Sequence, residues 1–166
     1  MKSRIRPARI EDIEGILEIV NDAILNTTAI YDYDVRTLND QLTWFEEKQA
    51  HGFPILVAVD EKENVLGFGT YGDFRVKIGY KFTVEHSVYV KDGLSGKGIG
   101  KQILSELIDT AKTQKLHTMI GLIDAENVGS ITFHEKFGFE KSGVLREAGY
   151  KFEKWLDVQL MQLILK

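Results

Sequence analysis

The sequence predicts an α/β protein built on a mixed sheet with helices on both faces. Short apolar runs of strand length alternate with longer stretches whose apolar residues recur at helical spacing. In chain order the segments read β-α-α-β-β-β-α-β-α-β, with no linker, repeat or low-complexity stretch to divide them. The 166 residues suit a single domain, here 1–166, with enough chain to bury a real core.

Arg4-Ile5-Arg6 reads as a short first strand. Ile13, Ile16, Leu17, Val20 and Ile24 follow one face of a helix, and Asp12 can cap it by accepting N–H groups of the first turn. Thr37 and Asp40 have capping-box spacing, with Leu38, Leu42 and Phe45 as the buried stripe of a second helix. Residues 55–59 and 65–71 are strands that flank the polar turn 60–64 and pair as an antiparallel hairpin. A longer strand covers 81–90, with Phe82, Val84, Val88 and Val90 on one side.

Ile99, Ile103, Leu107, Ile108 and Ala111 mark the third helix. Residues 118–123 read as a strand. Asn127 opens a helix through Phe137, ended by Gly138, which tolerates left-handed backbone. Residues 155–165 are almost wholly apolar and read as a final, well-buried strand.

Composition narrows the function. A net charge of -4 gives no broad basic field for nucleic acid, so any polyanion site must be local. With no cysteine there are no disulfides and no thiolate metal sites. His51, His86, His117 and His134 lie far apart, with no HExxH, so no metal is expected. The opening residues 1–7 lack a continuous apolar stretch and no long apolar run follows. The expectation is a cytoplasmic protein with no membrane partner.

The most informative stretch runs from Glu85 to Lys101. Gly96, Gly98 and Gly100 remove alternate Cβ atoms where a loop turns into a helix. Backbone N–H groups can then approach an anion, helped by the partial positive charge of the helix N-terminus. Lys97 and Lys101 add mobile charge, and such a nest suits a pyrophosphate. Two familiar phosphate motifs fail. A Walker A loop from Gly93 would need lysine where Ile99 stands, and a dinucleotide fingerprint from Gly96 would need glycine at Lys101.

Ser87-Val88-Tyr89-Val90, the run Gly96 to Lys101, and Asn127, Ser130 and His134 through Phe139 together resemble the acetyl-CoA core of the GNAT superfamily. Within it, the chain is similar to the phosphinothricin (methionine sulfoximine) acetyltransferase group. Phe74-Arg75, Tyr80, Thr83-Val84-Glu85, the early Asn26 to Ala29 and the late Gly143 to Lys151 also match, so the resemblance spans nearly the whole chain. It implies a mostly antiparallel central sheet, acetyl-CoA as co-substrate, a small-molecule amine acceptor and a homodimer.

The resemblance also assigns roles by position. The backbone of Val88, Tyr89 and Val90 would bond the pantetheine amides. Gly96, Lys97, Gly98, Ile99, Gly100 and Lys101 would seat the pyrophosphate. Asn127, with Ser130 nearby, would bond the pantetheine arm. Glu85 would be the general base, a backbone N–H near Val88 would hold the oxyanion, and His134 would protonate the leaving thiolate or hydrogen-bond the sulfur. Thr28, Tyr31, Arg75, Tyr80 and Glu85 would meet the acceptor, Arg75 through its planar fork. His86 should point to the face of the strand opposite Glu85 and receives no role. The chain departs from the family at Ser95, usually arginine or glutamine, and at Lys77, near a place often held by a second arginine. Two other functions share these motifs: a protein N-terminal or lysine acetyltransferase, and a non-catalytic acyl-CoA-binding regulatory module.

Overall fold

The computed structural model describes residues 2–166. Along the chain run β1 (Arg4–Pro7), α1 (Ile13–Asn26), α2 (Leu38–Ala50), β2 (Ile55–Val59), β3 (Val65–Asp73), β4 (Thr83–Val90), α3 (Ile99–Thr113), β5 (Thr118–Asp124), α4 (Val128–Glu135), β6 (Glu140–Lys151) and β7 (Lys154–Ile164). The strands form one sheet in the order β1-β2-β3-β4-β5-β7-β6. Only β4 and β5 are parallel; every other neighbouring pair is antiparallel.

A hydrophobic core lies on each face of this sheet. On one side Ile13, Ile16, Ile19, Val20 and Ile24 of α1 and Phe45 of α2 close over Val57, Val59 and Phe68. On the other, the α3 stripe and Ile131 of α4 close over Leu56, Ala58, Val84 and Met119. Successive β2 side chains therefore feed opposite cores, which is why that run has no polar residue. The hairpin of β2 and β3 and the third helix appear as the sequence predicts.

Four expectations need correction. The Asp12 carboxylate does not cap α1. It accepts from Arg6 Nη1 at 2.7 Å, Arg6 Nη2 at 2.9 Å and the Arg9 N–H at 2.7 Å. The Arg6 guanidinium is largely buried and needs a counter-charge more than the helix needs a cap. In α2 the buried face is centred on Gln41 and Phe45, a phase that leaves Leu38 exposed. The capping box of Thr37 and Asp40 is present.

The other two corrections concern the end of the chain. β6 is a strand that periodicity does not reveal. It is an exposed edge strand, and its register with β7 shifts between Lys141 and Gly143 and again between Leu145 and Gly149. These breaks erase the alternation that marks a strand. β7 is only partly buried: Trp155 lies beyond Asp124↔Val158, where pairing with β5 ends, and is exposed.

Candidate active site

The parallel pairing of β4 with β5 runs only from Thr83↔Thr118 to Glu85↔Ile120. β4 continues along β3 to Val90, and β5 continues along β7 to Asp124. The two strands therefore part just past Glu85 and leave a wedge in the sheet. Lys91 N–H donates to Leu66 O and Phe74 N–H donates to Thr83 O, so odd-numbered β4 residues turn their amides to β3. By alternation Val88 and Val90 turn theirs into the wedge, an unpaired strand edge able to bond the amides of an extended ligand. Tyr89 keeps its amide on β3 and packs its ring 5.2 Å from Phe68.

Beyond β4 the chain turns into α3. Gly96 and Gly98 have φ of 77° and 82°, a region that costs an L-residue with a Cβ and costs glycine nothing. Gly98 is the N-cap of α3, and the first helical bond runs from Gln102 N–H to Gly98 O. The amides of Ile99, Gly100 and Lys101 precede it and have no partner within the helix. Ile99 buries its side chain in the core and so fixes the start of the helix, while Lys97 and Lys101 are exposed. The turn offers backbone donors and two cations to an anion, without a long side chain at Ser95.

At the mouth of the wedge lies a cavity of about 490 Å³. Thr28, Tyr31, Glu85, Val88, Tyr89, Asn127, Ser130 and His134 all line it. Val90 and the turn 96–101 lie outside its wall, farther along toward α3. Arg75 and Tyr80 also lie outside it. They sit on the segment joining β3 to β4, where Tyr80 stacks edgewise on Phe74 and the Arg75 guanidinium lies 5.6 Å from the Phe74 ring centre. Within one chain these two side chains do not line this cavity.

Glu85 is half-buried. Burial pushes its carboxyl above the usual range, opposed by the charge of Lys48. Lys48 reaches over from α2, donating from Nζ to Tyr71 O at 2.9 Å. Asn127 accepts the Ser130 N–H at 3.0 Å as a helix cap, which leaves its NH₂ group to meet a ligand. Thr28 donates to Asp124 Oδ2 at 2.6 Å, and burial and that carboxylate together raise the pKa of the Tyr31 hydroxyl. Lys151, 3% exposed, donates to the carbonyls of Thr27 and Ile30 and straps this wall in place.

Sequence reasoning missed Lys48, Asp124 and Lys151. Each acts on a partner distant in the chain, and no local spacing marks it; the one available signal is a carboxylate closing the apolar run of β5. His134 was named, but not its neighbour. Both of its ring nitrogens are engaged, Nδ1 with Ser130 O at 2.7 Å and Nε2 with His86 Nε2 at 2.9 Å. Burial lowers the basicity of both rings, and each is less than a tenth exposed. Among the described residues, no group of three or more His, Asp or Glu side chains could hold a metal ion, and no helix is long and apolar enough to cross a membrane.

A proton acceptor at the apex of the wedge, free strand amides beside it and an anion seat beyond can bring an amine to an extended, phosphate-bearing thioester. Residues 5–160 match the family described as acetyltransferase (GNAT) domain. A curated relative from Pseudomonas aeruginosa, an L-methionine sulfoximine/L-methionine sulfone acetyltransferase, is 47% identical over 163 residues, 98% of this chain and 95% of its own. The crystal structure of an N-acetyltransferase from Staphylococcus aureus Mu50 is 46% identical, with a TM-score of 0.97 over 100% of both chains. A phosphinothricin acetyltransferase from Sinorhizobium meliloti, solved in complex with acetyl-CoA, is 34% identical, with a TM-score of 0.95 over 99% of this chain and 89% of that one.

Proposed function

The chain belongs to the GNAT acetyltransferase family, and on that premise we propose that it acetylates the amine of a small amino-acid-like acceptor of the methionine sulfoximine, methionine sulfone or phosphinothricin type. It is an N-acetyltransferase with acetyl-CoA as co-substrate. The observation that carries the acceptor class is the cavity of about 490 Å³ beside Glu85, which also takes the end of the pantetheine arm and so leaves room for a small acceptor. The 47% identity to a methionine sulfoximine/sulfone acetyltransferase supports the same choice.

In this reading the Val88 and Val90 amides pair with the pantetheine arm, Asn127 bonds it from α4, and the turn 96–101 takes the pyrophosphate. Thr28, Tyr31 and Asp124 bound the acceptor, the Asp124 carboxylate favouring an ammonium. An α-ammonium has a pKa of about 8, so it must lose a proton before it attacks. Glu85 takes that proton directly or through water, and its raised pKa matches it better to the task. The amine nitrogen bonds to the thioester carbon, an N–H near Val88 meets the oxyanion, and the C–S bond breaks. Arg75 and Tyr80 do not line this cavity within one chain.

A thiol-release assay tests the reading. CoA should appear with methionine sulfoximine or sulfone, and Glu85→Gln should lower kcat by roughly 10²–10⁴, the usual value of a general base. Turnover with peptides alone would replace the small acceptor by a protein N-terminus or lysine. Acetyl-CoA binding with no turnover on any amine would make the chain a binding module. We further propose a cytoplasmic homodimer. The lack of cysteine suits a reducing compartment, and Val144, Leu145, Tyr150 and Trp155 are exposed apolar residues on β6 and β7 that suit an interface. A monomer in sedimentation would remove the dimer.

A further inference from the structure

A line of three polar contacts runs through two buried imidazoles. His134 Nδ1 lies 2.7 Å from Ser130 O, the two Nε2 atoms lie 2.9 Å apart, and His86 Nδ1 lies 3.0 Å from Ile120 O. A carbonyl only accepts, so each outer contact calls for an N–H on Nδ1. The middle contact calls for one more hydrogen. Two neutral imidazoles carry one N–H each, a hydrogen short of what the three contacts need. With one added proton every contact is matched; with a second, two N–H groups would point at each other.

We infer that His86 and His134 act as one acid holding a single proton between their Nε2 atoms, with His86 the positioning residue and His134 the ring that passes the proton to the departing sulfur. This rests on the acetyl-transfer reading above.

The pair is isolated from other charge. Phe139 packs 5.3 Å from the His86 ring and 5.2 Å from the His134 ring, and Phe133 packs 5.3 Å from His134. From β5, Gly121 makes the room: a Cβ there would lie 2.8 Å from His86 Cε1. From β3, the cross-strand neighbour of His86 is Tyr71, whose hydroxyl donates to Gln114 Oε1 and whose ionisation burial pushes well above the ordinary tyrosine value. Glu85 sits on the other face of β4. The only charge that shifts His86 is that of His134, and His134 itself is shifted by burial and its bond to Ser130 O rather than by any charge. Burial lowers both, so the pair refuses a second proton and holds the first loosely, as a donor should.

The step balances. The amine nitrogen bonds to the carbonyl carbon and loses its proton to Glu85. The C–S electron pair leaves on sulfur and takes the proton shared by the two Nε2 atoms. The pair, now neutral, regains a proton from water at the cavity mouth, and Glu85 releases its own to water.

The experiment has two readouts. Nitrogen-15 NMR of histidine-labelled intact protein, without substrate, follows each ring against pH. His86 and His134 should change together in one step and gain one proton between them. Two independent steps, or a His134 ring with bare Nδ1, would overturn the shared proton. The second readout is the pH profile of kcat for His86→Phe and His86→Gln. His86→Phe should lose roughly tenfold or more and shift the high-pH limb, where the acid is spent. His86→Gln, which can still donate to His134 Nε2, should recover part of the loss. An equal loss at every pH, with the limb unmoved, would leave His86 only a packing role and overturn the assignment. If the wild type acetylates no amine, the proposed function falls and proton delivery to sulfur falls with it; the ring titration alone still decides the sharing.

Discussion

Single side chains in this protein take their properties from neighbours far away in the chain. Glu85 is tuned upward by burial and downward by Lys48. A base works only when unprotonated, so the rate should rise as pH climbs through the raised Glu85 pKa. Lys48→Met removes the opposing charge, and the acid limb of kcat should move to higher pH; an unmoved limb would separate Glu85 from the rate. Asp12 shows the opposite shift. Burial works against its charge, but the Arg6 bonds and the Arg9 N–H outweigh that, and the carboxyl is held below its usual range. A depressed carboxyl contributes stability that is present above its unfolded-state pKa and lost as pH falls through the folded one. Asp12→Asn, which leaves Arg6 with Glu63 as its remaining carboxylate partner, should cost roughly 1–3 kcal/mol near neutrality. In urea melts that difference should shrink in acid. Neither pairing could be read from the sequence, where Asp12 looks like a helix cap and Lys48 has no local signal.

Elements were legible where their signals are local. The stripes of α1 and α3, the capping box of α2 and the Asn127 cap of α4 all depend on residues three or four apart, and the structure has them. The glycine turn is also present, and its left-handed backbone at 96 and 98 is a detail that the spacing alone did not specify. Gly98→Ala would impose roughly 1–2 kcal/mol of backbone strain. It should weaken acetyl-CoA, read as a higher KM for it, while the KM for the amine changes little. What stayed hidden was non-local. β6 escaped notice because its register breaks twice and it faces water. Thr28 and Tyr31 were named, but the contact of Thr28 with Asp124 escaped because the two are 96 residues apart and nothing near either announces the other. His86 was placed on the correct face by strand alternation, yet its partner on α4 is 48 residues away.

At the scale of the whole molecule, two hydrophobic cores share one seven-stranded sheet, and the sheet is incomplete at its centre. Alternation and periodicity foretold the layers, but not where neighbouring strands would part. Because β4 and β5 part after Glu85↔Ile120, main-chain donors remain unpaired in the middle of the fold. Such groups trade their hydrogens with water quickly, while donors engaged in a ladder trade slowly. Acetyl-CoA should therefore write an alternating signature along one strand. The amides of Val88 and Val90 should become slow to deuterate when it binds, while Tyr89 between them, already bonded to β3, should keep its unliganded rate. A uniform slowing of all three would mean a general tightening of the protein, and would show that the co-substrate does not serve as the strand this sheet leaves out.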